Sequence, residues 1–239
     1  METLNKCLKS KFINKNRVFK NKISTIPVNL DFELLKIEEI IKTLETQHNC
    51  KYEYTPEIEN IIKLLLLYFT GHEKFESEYR QQMGKTGSLN KGICLVGGVG
   101  VGKTMLFEIF KIYTSQMRKN SFQTFTPQII KTGLQAEGRE YFNKFSDNFN
   151  NQKMAKPISC YIEDVGSGNE IVKYFGSTMH SIRDFFEVRY QTFIRHQKLT
   201  HFDTNLYPID LKELYGERIT DRMKEMFNIL ELKGKSFRK

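Results

Sequence analysis

Cysteine is scarce in this sequence, and its spacing is uninformative for metal or redox chemistry. Only four cysteines occur among the 239 residues, and no two of them form a CxxC pair. Cys94 and Cys160 lie inside apolar runs of the kind found in buried strands. We therefore expect buried or free thiols in a reducing compartment, and we predict a cytoplasmic protein.

Long apolar runs are absent as well. No stretch approaches the roughly 18 apolar residues that a membrane span requires. The first residues, METLNKCLKSKFINKNR, are basic but lack the apolar core of a signal peptide. The five histidines stand at no metal-ligand spacing. We expect no membrane contact and no metal site other than one that a bound nucleotide would bring.

Acidic residues are outnumbered by basic ones. Lys and Arg total 37 against 28 Asp and Glu, which gives a formal charge of +9. Such an excess favours contact with a polyanion such as nucleic acid, although a basic protein with no such partner remains an alternative. Residues 1–25 carry many of these charges with few apolar anchors, and we predict a flexible basic arm there.

The hydrophobic pattern alternates between helical and strand periods. Apolar spacing predicts a helix over 31–46 with Asp31 as its N-cap, and another that begins at Thr55 with Pro56 in its first turn. A third helix is predicted over 104–117, and an exposed loop over 143–152. Short apolar runs predict strands at 93–96, 122–126, 158–162, 199–203 and 227–232. The alternation indicates an α/β fold, with a parallel sheet flanked by helices.

A phosphate-binding motif follows the first predicted strand directly. The segment GGVGVGKT fits GxxxxGK[ST] and opens a helix, as a P-loop does. Glycines let the backbone N–H groups surround the phosphates, Lys103 would reach the β and γ phosphates, and Thr104 would bind Mg²⁺. We predict these nucleotide-binding residues: Gly97, Gly98, Val99, Gly100, Val101, Gly102, Lys103, Thr104 and Met105. The predicted cofactors are a nucleoside triphosphate and Mg²⁺.

Two acids end the strand predicted at 158–162. Hydrolysis of a Mg²⁺ nucleotide requires one acid near the metal and one that orients or activates the attacking water. Glu163 and Asp164 supply both, and the sequence leaves open which acid has which role. Two solvated acids at a strand end are the plainer alternative.

The order of motifs after the P-loop resembles AAA+ ATPases, specifically the DnaC-type helicase loaders and their IstB-type transposition relatives. The likeness covers roughly residues 90–239 and rests on EDVG, TNL, GERITDRM and GKSFR in that order. It implies an AAA+ domain over 76–239 that binds and hydrolyses ATP. It also implies that residues 1–75 form a helical extension that binds a partner helicase.

The resemblance assigns roles to several further residues. Asn205 looks like the sensor-1 residue near the γ-phosphate. Arg218, or Arg222 as the fallback, looks like the arginine finger given to a neighbouring subunit, and Arg238 looks like sensor 2. The predicted catalytic set is therefore Lys103, Glu163, Asp164, Asn205, Arg218 and Arg238, with Thr104, Glu163 and Asp164 near the metal.

Two residues depart from the family pattern. The acids stand in the order Glu163 then Asp164, where the family usually has Asp first, so hydrolysis is expected to be slow or the metal role to fall to Asp164. Asp203 stands where a small or apolar residue is usual, and the sequence offers no reason for it.

The predicted function is an ATPase that assembles with itself on single-stranded DNA and loads a replicative helicase. Arg183, Arg189 and Arg195 are candidate DNA contacts, whereas the aromatics around them more simply pack a helix on the sheet. The alternatives are an IstB-like regulator on duplex DNA, a self-contained P-loop enzyme for a small molecule, and a module that holds ATP without turnover.

Overall fold

A computed structural model describes residues 28–52, 55–146, 158–234 and 236. The predicted basic arm at 1–25, residues 147–152 of the predicted loop, and Arg238 lie outside these ranges. In the part that is described, no helix has the length and apolar character needed to cross a bilayer.

The elements alternate as the hydrophobic pattern predicts. The helices are α1 (Leu30–His48), α2 (Pro56–Thr70), α3 (Phe75–Met83), α4 (Lys103–Gln116), α5 (Pro127–Glu137), α6 (Ser181–His196), α7 (Pro208–Tyr215) and α8 (Glu217–Met226), with a 3₁₀ helix at Gly138–Phe145. The strands are β1 (Gly92–Gly97), β2 (Gln123–Phe125), β3 (Cys160–Val165), β4 (Ile171–Tyr174), β5 (Ser177–His180), β6 (Thr200–Thr204) and β7 (Phe227–Leu232).

Five strands form one parallel sheet in the order β2-β3-β6-β1-β7. Strand β1 is buried along its whole length because it lies inside the sheet with helices over both faces. The carboxyl ends of β1, β3 and β6 therefore meet at one edge, which is where ligands bind in open α/β sheets. The predicted fold class is confirmed.

The N-terminal helices are capped by short polar side chains. Asn29, and not Asp31 as predicted, is the N-cap of α1, since its side chain accepts hydrogen bonds from the N–H groups of Asp31 and Phe32. Asp31 instead places its charge in the first turn, where it favours the helix dipole. Thr55 caps α2 and Pro56 occupies its first turn, as predicted.

Helices α1 and α2 share a hydrophobic core with the sheet. Leu64, Leu65 and Leu66 of α2 are buried, and Phe69 stacks on Phe110 of α4 with ring centroids 5.0 Å apart. The N-terminal helices thus pack against the P-loop helix. The domain boundary between residues 75 and 76 stays a prediction.

Two further local features differ from the sequence predictions. Residues 143–145, predicted as part of a loop, belong to the 3₁₀ helix because Tyr141, Phe142 and Phe145 turn inward and are buried. Strands β4 and β5 form an antiparallel hairpin that was not predicted.

Candidate functional site

The P-loop connects β1 to α4 at the carboxyl edge of the sheet. A Cβ at Gly97 would lie 2.5 Å from the carbonyl oxygen of Leu232, so the loop must begin with glycine. Gly100 and Gly102 have φ values of 81° and 93°, in the left-handed region that glycine occupies without strain. No described side chain caps the start of α4, and a helix N-terminus of this kind is suited to bind an anion.

Lys103 is folded back onto the loop. Its Nζ donates to the carbonyl oxygens of Gly97 and Gly98, each at 2.8 Å, and to Oδ1 of Asn205 at 2.6 Å. Its side chain is buried. A phosphate that enters the loop would replace these carbonyl oxygens as the partner of the ammonium group.

Asn205 joins the P-loop to the acidic strand end. While Oδ1 accepts from Lys103, Nδ2 donates to Oδ1 of Asp164 at 2.9 Å. This contact arises because β6 lies between β1 and β3. The structure therefore brings three of the predicted site residues, Lys103, Asn205 and Asp164, into contact with one another.

A β-bulge shapes the end of β3. Ile162 pairs with Phe202 and Val165 with Thr204, so Glu163 and Asp164 together stand opposite the single residue Asp203. Asp164 has φ of 51°, and aspartate adopts the left-handed region more readily than glutamate does. The bulge thus gives a physical reason for aspartate in the second position of this acid pair.

The contacts of Asp203 explain why an acid stands at this position, for which the sequence offered no reason. Its side chain is buried, its Oδ2 accepts from the Thr104 hydroxyl at 3.0 Å, and its Oδ1 accepts from the N–H of Asp164. Burial raises the pKa of the Asp203 carboxyl above its ordinary value. The hydrogen bonds from Asp164 and Thr104 and the charge of Lys103 oppose that rise.

Glu163 is half-buried beside the same group. Burial raises the pKa of its carboxyl, and the charges of Asp203 and Asp164 raise it further. The Thr104 hydroxyl and these carboxylates are hard oxygen donors, which is the ligand set that Mg²⁺ prefers. The described residues contain no cluster of three or more His, Cys, Asp or Glu side chains arranged to hold a metal ion.

A cleft of about 480 Å³ lies over the P-loop. Of the predicted nucleotide-binding residues, Val99, Gly100, Gly102, Lys103, Thr104 and Met105 line this cleft. Val101 is instead buried in the core. The sequence did not predict that His48, Cys50, Lys51 and Tyr52 also line the cleft. No motif marks this segment, which reaches the cleft because α1 packs against α4.

The two candidate finger arginines, Arg218 and Arg222, lie on α8. Arg222 is largely buried, with its guanidinium 4.6 Å above the Tyr190 ring and in an ion pair with Glu187. Arg218 pairs with Glu187 at 3.4 Å, but its side chain is 75% exposed. Neither is among the described residues that line the cleft. Arg218 is therefore the one whose guanidinium another molecule can reach.

One of the three arginines predicted as candidate DNA contacts, Arg189, is not on the surface. Arg189 is fully buried and donates to the carbonyl oxygens of Phe145 and Leu199, because α6 presents it to the sheet and not to solvent. Phe185, Phe186 and Phe193 are also buried, which confirms that they pack α6 on the sheet. Arg183 and Arg195 remain on the surface.

The sheet order, the P-loop and the polar groups at its edge define an α/β fold of the AAA+ type. The sequence matches no protein-family model and no curated protein. Among solved structures, the chain is similar to a DnaC helicase loader. The two share 16% identity with a TM-score of 0.51, over 77% of this chain and 94% of the other.

A putative primosome component from Streptococcus pyogenes serotype M3 is similar at 14% identity. The TM-score is 0.50, over 76% of this chain and 82% of that one. At such identities the likeness establishes the fold, and that fold agrees with the DnaC-type resemblance drawn from the motifs.

Proposed function

We propose that this protein is a Mg²⁺-dependent ATPase whose site is completed by a second copy of the chain, and that it acts as a replication accessory factor. The observation that carries the proposal is the hydrogen-bonded group of Lys103, Asn205 and Asp164 directly behind the P-loop. A phosphate group, a polar sensor and an acid that can orient water would then share one edge of the sheet.

The position of Arg218 supports a site shared between subunits. An arginine finger supplies positive charge where charge develops during phosphoryl transfer, and Arg218 is exposed and does not line its own cleft. An arginine given to a neighbour would make hydrolysis depend on assembly. Bound Mg²⁺ would neutralise charge on the phosphates, with Thr104 and the nearby carboxylates as its protein partners.

Mixing two defective variants tests the shared site. Lys103→Ala removes the phosphate contact, and Arg218→Ala removes the finger from a different surface. We expect each variant alone to lose ATPase activity, by roughly 1,000-fold or more for the arginine. A mixture should regain part of the activity because some interfaces pair an intact P-loop with an intact Arg218.

Lys224→Ala is the matched control for Arg218→Ala. Lys224 lies on the same helix with its side chain 73% exposed, and its replacement should leave turnover unchanged. Full activity of Arg218→Ala in a monomeric protein would overturn the shared site and favour a self-contained nucleotide enzyme. Unchanged nucleotide binding in Lys103→Ala would overturn the P-loop assignment itself.

Delivery of a replicative helicase on single-stranded DNA is the finer part of the proposal. It is supported by the fold shared with a DnaC helicase loader and by the formal charge of +9. ATPase rate and oligomer mass should rise with single-stranded DNA and less with duplex DNA of equal length. Filaments that form on duplex DNA in preference would favour an IstB-like regulator instead.

A further inference from the structure

Among the residues that the structure describes, Asp203 is the one buried acid whose carboxylate contacts both the start of the P-loop helix and the acid pair. It receives the Thr104 hydroxyl on one oxygen and the Asp164 N–H on the other. Strand β6 makes this possible because Leu95 of β1 pairs with Asp203 on one side, while the bulge of β3 faces it on the other.

Each of these two hydrogen bonds has a consequence for the site. A hydroxyl that gives its proton to a carboxylate keeps its oxygen lone pairs free to bind a cation. The bond to the Asp164 N–H holds the bulge in its left-handed conformation, in which the Asp164 carboxylate reaches Asn205. Asp203 is the last but one residue of β6, and Asn205 directly follows the strand.

We propose that Asp203 is the positioning residue of this nucleotide site: it orients Thr104 toward the Mg²⁺ of a bound nucleotide and sets the position of Asp164. In this arrangement Asp203 of β6 contributes more to Mg²⁺ binding than Glu163 at the end of β3 does. The inference rests on the proposed function, since it requires that the cleft accept a Mg²⁺ nucleotide.

The affinity for a fluorescent ATP analogue, measured with Mg²⁺ and again with EDTA, distinguishes an effect on Mg²⁺ binding from an effect on the folded structure. Asp203→Asn keeps the shape of the side chain and removes its charge. We expect the Mg²⁺-dependent gain in affinity to shrink on the order of tenfold, with little change in EDTA. Glu163→Gln is the matched control, and its loss should be smaller.

A double-variant comparison identifies the hydrogen bond involved. Thr104→Val should lose the same Mg²⁺-dependent gain, and the pair Thr104→Val with Asp203→Asn should lose no more than either alone. Fully additive losses would show that Asp203 does not act through Thr104. If Asp203→Asn keeps the full Mg²⁺-dependent gain in affinity and Glu163→Gln loses it, Glu163 of β3 has this role and the inference is overturned.

Hydrogen exchange supplies a readout that needs neither nucleotide nor metal. In Asp203→Ala the amide of Asp164 loses its acceptor, and we expect it to exchange at least about tenfold faster while amides of β1 keep their rates. Unchanged exchange at Asp164 would contradict the positioning role. If the native chain binds no nucleotide at all, the proposed function fails, whereas a normal native protein with an unaffected Asp203→Asn variant refutes only this inference.

Discussion

Asn205 is the residue on which the two halves of the site converge. It holds the ammonium group of Lys103 and the carboxylate of Asp164 at the same time. A phosphate that draws Lys103 away would free Oδ1 of Asn205, while Nδ2 still holds the acid. Asn205 therefore links the position of Lys103 in the P-loop to that of Asp164, the acid proposed to orient water.

Replacement of Asn205 by alanine should separate turnover from binding. We expect ATP turnover to fall roughly 100-fold, because in the proposed mechanism Asn205 contacts the reacting phosphate. Nucleotide affinity should change by less than about threefold, since the P-loop amides and Lys103 remain. Steady-state kinetics and equilibrium binding measure the two effects, and a loss confined to affinity would contradict the assignment.

The three acids of the site show how far the sequence alone predicts its residues. Glu163 and Asp164 were predicted because they follow an apolar run and come after a P-loop. Asp203 was recognised as unusual but had no explanation, because its partner Thr104 is 99 residues away in the chain. Only the placement of β6 between β1 and β3 brings the two together, and no local pattern encodes that order.

At the scale of elements, Arg189 connects α6, the 3₁₀ helix and β6. Its guanidinium donates to the Thr200 hydroxyl at 2.8 Å as well as to the carbonyl oxygens of Phe145 and Leu199, at 3.1 and 3.0 Å. The side chain is 0% exposed. Its role is therefore structural, although its place in a basic, aromatic run suggested nucleic-acid contact.

Arg189→Met should destabilise the protein strongly. Methionine keeps most of the buried stem but leaves several buried acceptors without a donor, and we expect a loss of about 3 kcal/mol in the free energy of unfolding. Urea denaturation measures it. Arg183→Met is the control on the same helix, where the side chain is 48% exposed and an effect below about 0.5 kcal/mol is expected. Equal effects of the two changes would contradict the structural role of Arg189.

Helices and strands were predictable where caps and apolar runs are continuous. The bounds 227–232 match β7, and Thr55 with Pro56 marks the start of α2. The hairpin of β4 and β5 was missed because each strand has only four residues and pairs outside the main sheet. So short an alternation of exposed and buried positions is a weak signal.

At the scale of the whole molecule, the N-terminal helices belong to the same core as the sheet. Residues 1–75 were predicted as an extension that binds a partner, which suggests deletion as a test. Helix α2, however, has ten buried residues, including Leu64, Leu65 and Leu66, and the segment after α1 lines the cleft over the P-loop. Removal of this region would expose the face of α4 that it covers.

We therefore expect a chain that begins at residue 76 to unfold, and its loss of partner binding would be uninformative. Each fully buried leucine or isoleucine contributes about 1.5–3 kcal/mol. The seven buried isoleucines and leucines of α2 thus contribute roughly 10–21 kcal/mol before the entropy cost of ordering them is subtracted, against a net stability of about 5–15 kcal/mol for an ordinary domain. Circular dichroism and size-exclusion chromatography would reveal the unfolding, and a cooperative, monomeric 76–239 fragment would contradict it.

A partner surface on the extension is better probed by Phe32→Ser with Leu35→Ser. These side chains are 56% and 61% exposed on α1, so their replacement should leave stability unchanged while it removes apolar contact area.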